Sequence, residues 1–142
     1  MAATPNTEVF LDSAYVIALA QSTDAHHSRA VAISQQLGSN RIFIITTRAV
    51  LLEVGNALSK IKSREAAIQL VNMLANSQTV EIIPLTEKLA AQGRELFCQR
   101  KDKDWSWTDC ISFVVMRERG LKQALTSDNH FEQAGFIPLL RQ

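Results

Sequence analysis

Apolar positions along the chain come in short blocks that switch between two spacings. Val9, Phe10 and Leu11 form a run closed by Asp12 and Ser13, and positions 14–20 are then apolar for two helical turns, which reads as strand, turn, helix. Positions 24–37 carry an apolar stripe at Ala30, Val31, Ile33 and Leu37, with Gly38 as the expected stop. The run at 41–46 is β-branched, nearly continuous in apolarity and short, the pattern of a buried and parallel strand. Thr46 and Thr47 are placed to cap a helix that runs to about Ile61, and an amphipathic helix at 63–77 follows to make a helical hairpin. Val80, Ile82 and Ile83 give a strand stopped by Pro84, and Thr86 caps a helix to about Gln99. Ser106 opens a helix that closes at Gly120, a strand follows at 122–126, then about one helical turn from Asn129, and a last edge strand at 136–140. The order is β-α-α-β-α-α-β-α-α-β-α-β. Such alternation predicts an α/β fold, a parallel-rich sheet with helices on both faces.

Composition narrows the class. At 142 residues and 46% hydrophobic content the chain suits one domain with one sizeable core, and no repeat or linker divides it. A net charge of +1 excludes a global electrostatic commitment to nucleic acid or to an anionic membrane, so any contact with nucleic acid must be local. The clearest local enrichment is Arg94, Arg100, Lys101 and Lys103, a run that is more often a solvated helix face than a phosphate-binding one. Cys98 and Cys110 have no metal spacing and read as reduced and structural. The first eight residues show neither a basic region nor an apolar run of signal length, and no stretch approaches the roughly 18 apolar residues that span a bilayer. A cytoplasmic protein without a membrane segment is expected.

Four acids stand where apolar elements meet polar ones. Asp12 and Asp128 end strands, Asp109 occupies the third position of its helix, and Glu53 stands among apolar and small residues inside another. Three of them have a purely structural reading. Asp12 suits an N-cap, Ser106-x-x-Asp109 a capping box, and Glu53 a solvent-facing seam shared with Asn56. Each also suits a common site, because the carboxyl ends of parallel strands and the starts of the following helices gather on one sheet edge. Carboxylates collected there repel; they either hold protons or bind a hard divalent cation. Oxygen-only ligation favours Mg²⁺ or Mn²⁺ and points to metal-assisted phosphodiester hydrolysis. The adjacent His26 and His27 point about 100 degrees apart on a helix and read as ordinary residues. No glycine-rich phosphate loop, GxGxxG or GxSxG occurs.

The ordered set of Val9-Phe10-Leu11-Asp12-Ser13, Leu52-Glu53-Val54 with Asn56, Trp107-Thr108-Asp109-Cys110-Ile111-Ser112-Phe113, and Leu125-Thr126-Ser127-Asp128 with His130-Phe131 resembles a PIN domain. More narrowly it resembles the VapC-like toxins of bacterial type II toxin–antitoxin systems. The resemblance spans nearly the whole chain, as one PIN-like domain over residues 1–142. It implies a three-layer α/β/α fold with a central, mainly parallel five-stranded sheet, and an Mg²⁺- or Mn²⁺-dependent endoribonuclease. Asp12, Glu53 and Asp109 fall on the family's three central acids and Asp128 on its more variable fourth, as catalytic and metal-holding residues. Thr126 and Ser13 correspond to accompanying hydroxyl residues, and Asp104 to an outer acid before the third motif. The loop Trp105-Ser106-Trp107 is more aromatic than usual in the family and is expected to pack rather than stack a base.

The resemblance further implies an RNA substrate and an antitoxin partner. Apolar helical surface over positions 48–74 suggests a homodimer and a groove for a partner helix. The same residues equally suit a housekeeping nuclease with no antitoxin, while the presence of all four acids argues against a module that binds RNA or protein without catalysis. Residues that bind the substrate are not legible.

Overall fold

Period-two alternation divides the first strand, β1 (Glu8–Leu11), between two cores: Val9 and Leu11 face one side of the sheet and Phe10 the other. The computed structural model describes residues 8–141, so the reading of the first residues as carrying no leader falls outside it. After β1 come α1 (Ser13–Ala20), α2 (His27–Asn40), β2 (Phe43–Thr47), α3 (Arg48–Ala57), α4 (Ile61–Asn76), β3 (Val80–Ile83), α5 (Glu87–Gln99), α6 (Trp107–Arg119), β4 (Gln123–Leu125), α7 (Asn129–Gln133), β5 (Ile137–Pro138) and a 3₁₀ turn, Leu139–Arg141. The five strands make one all-parallel sheet in the order β3-β2-β1-β4-β5.

Register sets the layers. Phe10 pairs with Ile45 on one side and Ala124 on the other, so these three line one face together with residues of α5, α6 and α7. Leu11 pairs with Leu125 on the opposite face, which α1, α2 and α4 cover. Helix α3 belongs to both layers: Ala49 and Val50 join the first core, and Leu51, Val54 and Leu58 the second. Fully burying a residue such as Phe113 contributes about 2 to 3 kcal/mol. Phe113 also packs edge-on against both Trp105 and Phe131 at 5.0 Å between ring centroids, which locks the start of α6 to α7. Gly93 of α5 lets α6 approach closely, since a Cβ there would lie 2.5 Å from Ile111 Cγ1.

Several boundaries differ from expectation; the helix expected to reach about Ile61 ends at Ala57, and Ile61 instead opens α4. Gly38 does not end α2; the helix continues to Asn40 and Arg41 takes the left-handed cap at φ 51°. One glycine inside a helix costs only about 1 kcal/mol, which neighbouring turns offset. Asp24, expected inside that helix, instead accepts the His26 amide at 2.8 Å in the preceding turn. The last strand is two residues long because Leu140 turns back to donate its amide to the Thr126 carbonyl at 3.0 Å. No helix among the described residues is long and apolar enough to cross a membrane.

Candidate active site

Strand order reverses at β1, so the crevice of this sheet opens at the carboxyl ends of β1 and β4. The Leu11–Leu125 pairing puts Asp12 beside Thr126, and the Asp12 amide donates to the Leu125 carbonyl at 3.2 Å. The Thr126 hydroxyl, fully buried, donates to Asp12 Oδ2 at 2.7 Å and accepts the Asp128 amide at 3.0 Å. One threonine thereby fixes two acids from opposite sides of the crevice. Asp12 occupies the N-cap position of α1, but its carboxylate makes no capping hydrogen bond, so the structural reading of this residue fails.

Glu53 reaches the same crevice from α3. The Ser13 hydroxyl donates to its Oε1, which joins the start of α1 to the middle of α3. Asn56 is exposed and forms no hydrogen bond with Glu53. The two do share a wall of a cleft of about 330 Å³, completed by Leu52, Leu85, Trp107 and Ile111.

Asp109 satisfies both of its readings. Its amide donates to Ser106 Oγ at 2.9 Å and its Oδ2 accepts the Ser106 amide at 3.1 Å, a complete capping box. The same carboxylate faces Asp128, the N-cap of α7, whose Oδ1 accepts the His130 amide at 2.8 Å. Asp109 and Asp128 thus lie within ligand range of each other, and Asp12 and Glu53 line the same crevice close enough for the charges to act on one another. Asp104 does not join them: it is exposed and makes no hydrogen bond among the described residues.

Electrostatics register the convergence. Asp12, only 4% exposed, has its pKa pushed up to about 7, first by burial and then by the charges of Asp109 and Glu53, against the lowering effect of the Thr126 hydroxyl. Burial also raises Glu53, opposed by Ser13 and reinforced by Asp109 and Asp128. Asp109 is raised by burial and by Asp128, against the Ser106 amide and His130. Among the described residues, no lysine or arginine pairs with any of the four acids; the arginine bridges go to Asp102 and Glu81. A donor set of crowded carboxylates, Asp12 and Asp109 buried and Glu53 and Asp128 half-buried, with no lysine or arginine paired to them, fits a hard divalent cation.

Sequence reasoning placed His130 in the fourth motif but gave it no role. Its Nδ1 lies 3.0 Å from Asp109 Oδ2 and 3.3 Å from Asp128 Oδ1, and ligand atoms of these three residues lie within 4.8 Å of one another. The available signal was its place two residues after the N-cap acid of a one-turn helix. His27 instead bonds the Ala18 carbonyl at 2.7 Å, in keeping with an ordinary structural role. Cys110 is a buried free thiol pushed up to about 11, an inert core residue, and Cys98 is also free. Trp105 packs as expected, buried, with its Nε1 donating to Gln133 Oε1 at 3.0 Å and Arg100 stacked over it at 4.8 Å. Trp107 departs from that expectation. It is 46% exposed on the wall of the cleft, and its Nε1 donates to the Ala90 carbonyl at 2.9 Å.

Known proteins share this arrangement of elements. The chain is 28% identical over 129 residues to the 23S rRNA-specific endonuclease VapC20 of Mycobacterium tuberculosis, covering 91% of this chain and 95% of that protein. The crystal structure of VapC20, a sarcin–ricin loop cleaving toxin, superposes with a TM-score of 0.78 at 27% identity over 91% of this chain and 96% of that one. VapBC2 of Rickettsia felis, bound to a promoter DNA fragment, has a TM-score of 0.66 at 16% identity, covering 92% of this chain and 96% of that chain. FitAcB of Neisseria gonorrhoeae has a TM-score of 0.62 at 15%, covering 92% and 94%, and these two likenesses concern the fold. The family model for the PIN domain matches residues 9–137, which begin in β1 and end in β5 and enclose all four acids. By its sheet, by its ordered motifs and by that match, the chain belongs to the PIN domain family.

Proposed function

We propose that this chain is a metal-dependent endoribonuclease, the toxin of a type II toxin–antitoxin pair, built as one PIN domain over residues 1–142. One observation carries the reading: four carboxylates from four elements line the crevice at the switch point of a parallel sheet, where their charges help to raise Asp12 and Glu53, and no lysine or arginine among the described residues pairs with them. Asp12, Glu53, Asp109 and Asp128 are the residues that would hold Mg²⁺ or Mn²⁺. Such a cation supplies charge stabilisation at the scissile phosphate and lowers the pKa of a bound water. The residues of the chain hold that site in place. Thr126 and Ser13 aim Asp12 and Glu53, the capping box fixes Asp109, and the aromatic packing of Phe113 on Trp105 and Phe131 keeps α6 and α7 in register. Water attack would leave a 5′-phosphate and a 3′-hydroxyl, with no covalent enzyme intermediate.

The likeness to VapC20 supports RNA as the substrate and makes the sarcin–ricin loop of 23S rRNA the first target to test. Exposed Leu52, Ile61, Ile68 and Met73 on α3 and α4 support a homodimer and a seat for an antitoxin helix, in a cytoplasmic protein. The deciding experiment incubates the purified protein with single-stranded RNA and with RNA bearing that loop, with Mg²⁺ or Mn²⁺ and with EDTA. Cleavage that requires the cation and disappears in Asp12→Asn is expected. Undiminished cleavage in EDTA, with contaminating ribonuclease excluded, overturns the metal reading. Specific RNA binding with no cleavage in any metal favours a binding module instead.

A further inference from the structure

His130 stands where two of the four acids meet. Its Nδ1 is 3.0 Å from Asp109 Oδ2 and 3.3 Å from Asp128 Oδ1. Both neighbours are acceptors, so Nδ1 carries the ring proton and donates. The two oxygens it touches are also the two already held by the backbone: the Ser106 amide donates to Asp109 Oδ2 at 3.1 Å and the His130 amide to Asp128 Oδ1 at 2.8 Å. A carboxylate oxygen has two lone-pair sites, so the Ser106 amide and the imidazole occupy Oδ2 of Asp109, while Oδ1 of Asp128 takes the His130 amide with Nδ1 in contact at 3.3 Å. The opposite oxygens, Asp109 Oδ1 and Asp128 Oδ2, accept no hydrogen bond among the described residues.

We infer that His130 is a positioning residue: its Nδ1–H holds Asp109 while its own amide holds Asp128, which leaves their unbonded oxygens for the cation, so that the ring sets metal affinity without ligating the metal. This rests on the metal reading proposed above. Ligation by Nδ1 of a cation held between the two acids would require it to give up its proton and its bond to Asp109, and Nε2, the nitrogen left free in this tautomer, points across the ring away from the carboxylate that Nδ1–H bonds. Groups that orient ligating carboxylates typically change metal affinity 10- to 100-fold when removed.

The test measures Mn²⁺ binding by electron paramagnetic resonance on the whole protein, with EDTA-treated melts of every variant to check folding. His130→Ala and His130→Leu, the latter keeping bulk on α7, lack the donor and are expected to weaken Mn²⁺ about 10- to 100-fold. His130→Asn places an amide N–H near the Nδ1 position and is expected to stay within several-fold of wild type. Electron spin-echo of the Mn²⁺-loaded wild type should show no directly bonded imidazole nitrogen. Retention of wild-type affinity in the donor-less variants overturns the inference, and so does a ligated-nitrogen signal that vanishes in His130→Leu. A wild type that binds no Mn²⁺ overturns the parent metal reading and the role of His130 with it, an outcome distinct from the other two.

Discussion

Asp12→Asn should make the metal-free protein more stable, and the structure sets by how much. Asp12 is buried and its pKa is pushed from 3.8 up to about 7. An acid raised in this way holds its proton in the folded state at pH values where the unfolded chain has lost it. Stability therefore falls as pH rises from about 4 to about 7 and is flat above. The difference of roughly 3 pH units corresponds to about 4 kcal/mol carried as a burden by the ionised wild type at pH 8. Asparagine has no charge, and its Oδ1 can still accept the Thr126 hydroxyl that now bonds Asp12 Oδ2 at 2.7 Å. In EDTA at pH 8 the variant should gain about 4 kcal/mol, on the order of 10 °C in Tm for a chain of this size. The gap should shrink to below about 1 kcal/mol at pH 4. A saturating divalent cation stabilises the wild type by about 3 kcal/mol at a hundredfold excess over its Kd and the variant much less, so the two melts converge. Thermal and urea melts followed by circular dichroism from pH 4 to 8, with EDTA or with Mg²⁺, read all of this. A variant less stable than wild type at pH 8 in EDTA, or a gap that ignores pH, would refute the picture of a buried, uncompensated carboxylate.

Further outcomes follow from other contacts. Asp109→Ala removes a capping bond worth roughly 1 kcal/mol and also relieves repulsion with Asp128, so its melt in EDTA should stay within about 1 kcal/mol of wild type, while the stabilisation by Mg²⁺ is largely lost. Thr126→Val keeps volume but strips Asp12 of its donor and the Asp128 amide of its acceptor; a loss of about 1 to 3 kcal/mol in urea melts at pH 8 is expected, with reduced Mn²⁺ affinity. Gly93→Ala drives a methyl into Ile111 across the α5–α6 contact and should cost about 1 to 3 kcal/mol. Unchanged stability in the Gly93 variant would show that these two helices separate freely.

What the sequence alone determined is what acts over a few residues. Thr47, Thr86 and Ser106 accept the amides of Val50, Leu89 and Asp109, and Gly120 takes the left-handed cap, as periodicity and cap chemistry predict. The order of twelve elements, the three aspartates at element ends and the lone Glu53 inside an apolar helix were legible for the same reason, since each signal lies within one or two turns of chain. Gly38 misled because a stop signal acts only if the following residues do not continue the helix, and here α2 runs on to Asn40. Contacts between distant residues were left to the tertiary structure. Thr126 meets Asp12 across 114 positions and Ser13 meets Glu53 across 40, through strand register and helix packing that no local pattern encodes. The same holds for Trp105, which turns into the core while Trp107, two residues on, lines the cleft. His130 is the sharpest case. Its place in α7 was readable, but its role depends on α6 and α7 being packed together by Phe113 against Phe131, and only that packing brings one imidazole to two carboxylates.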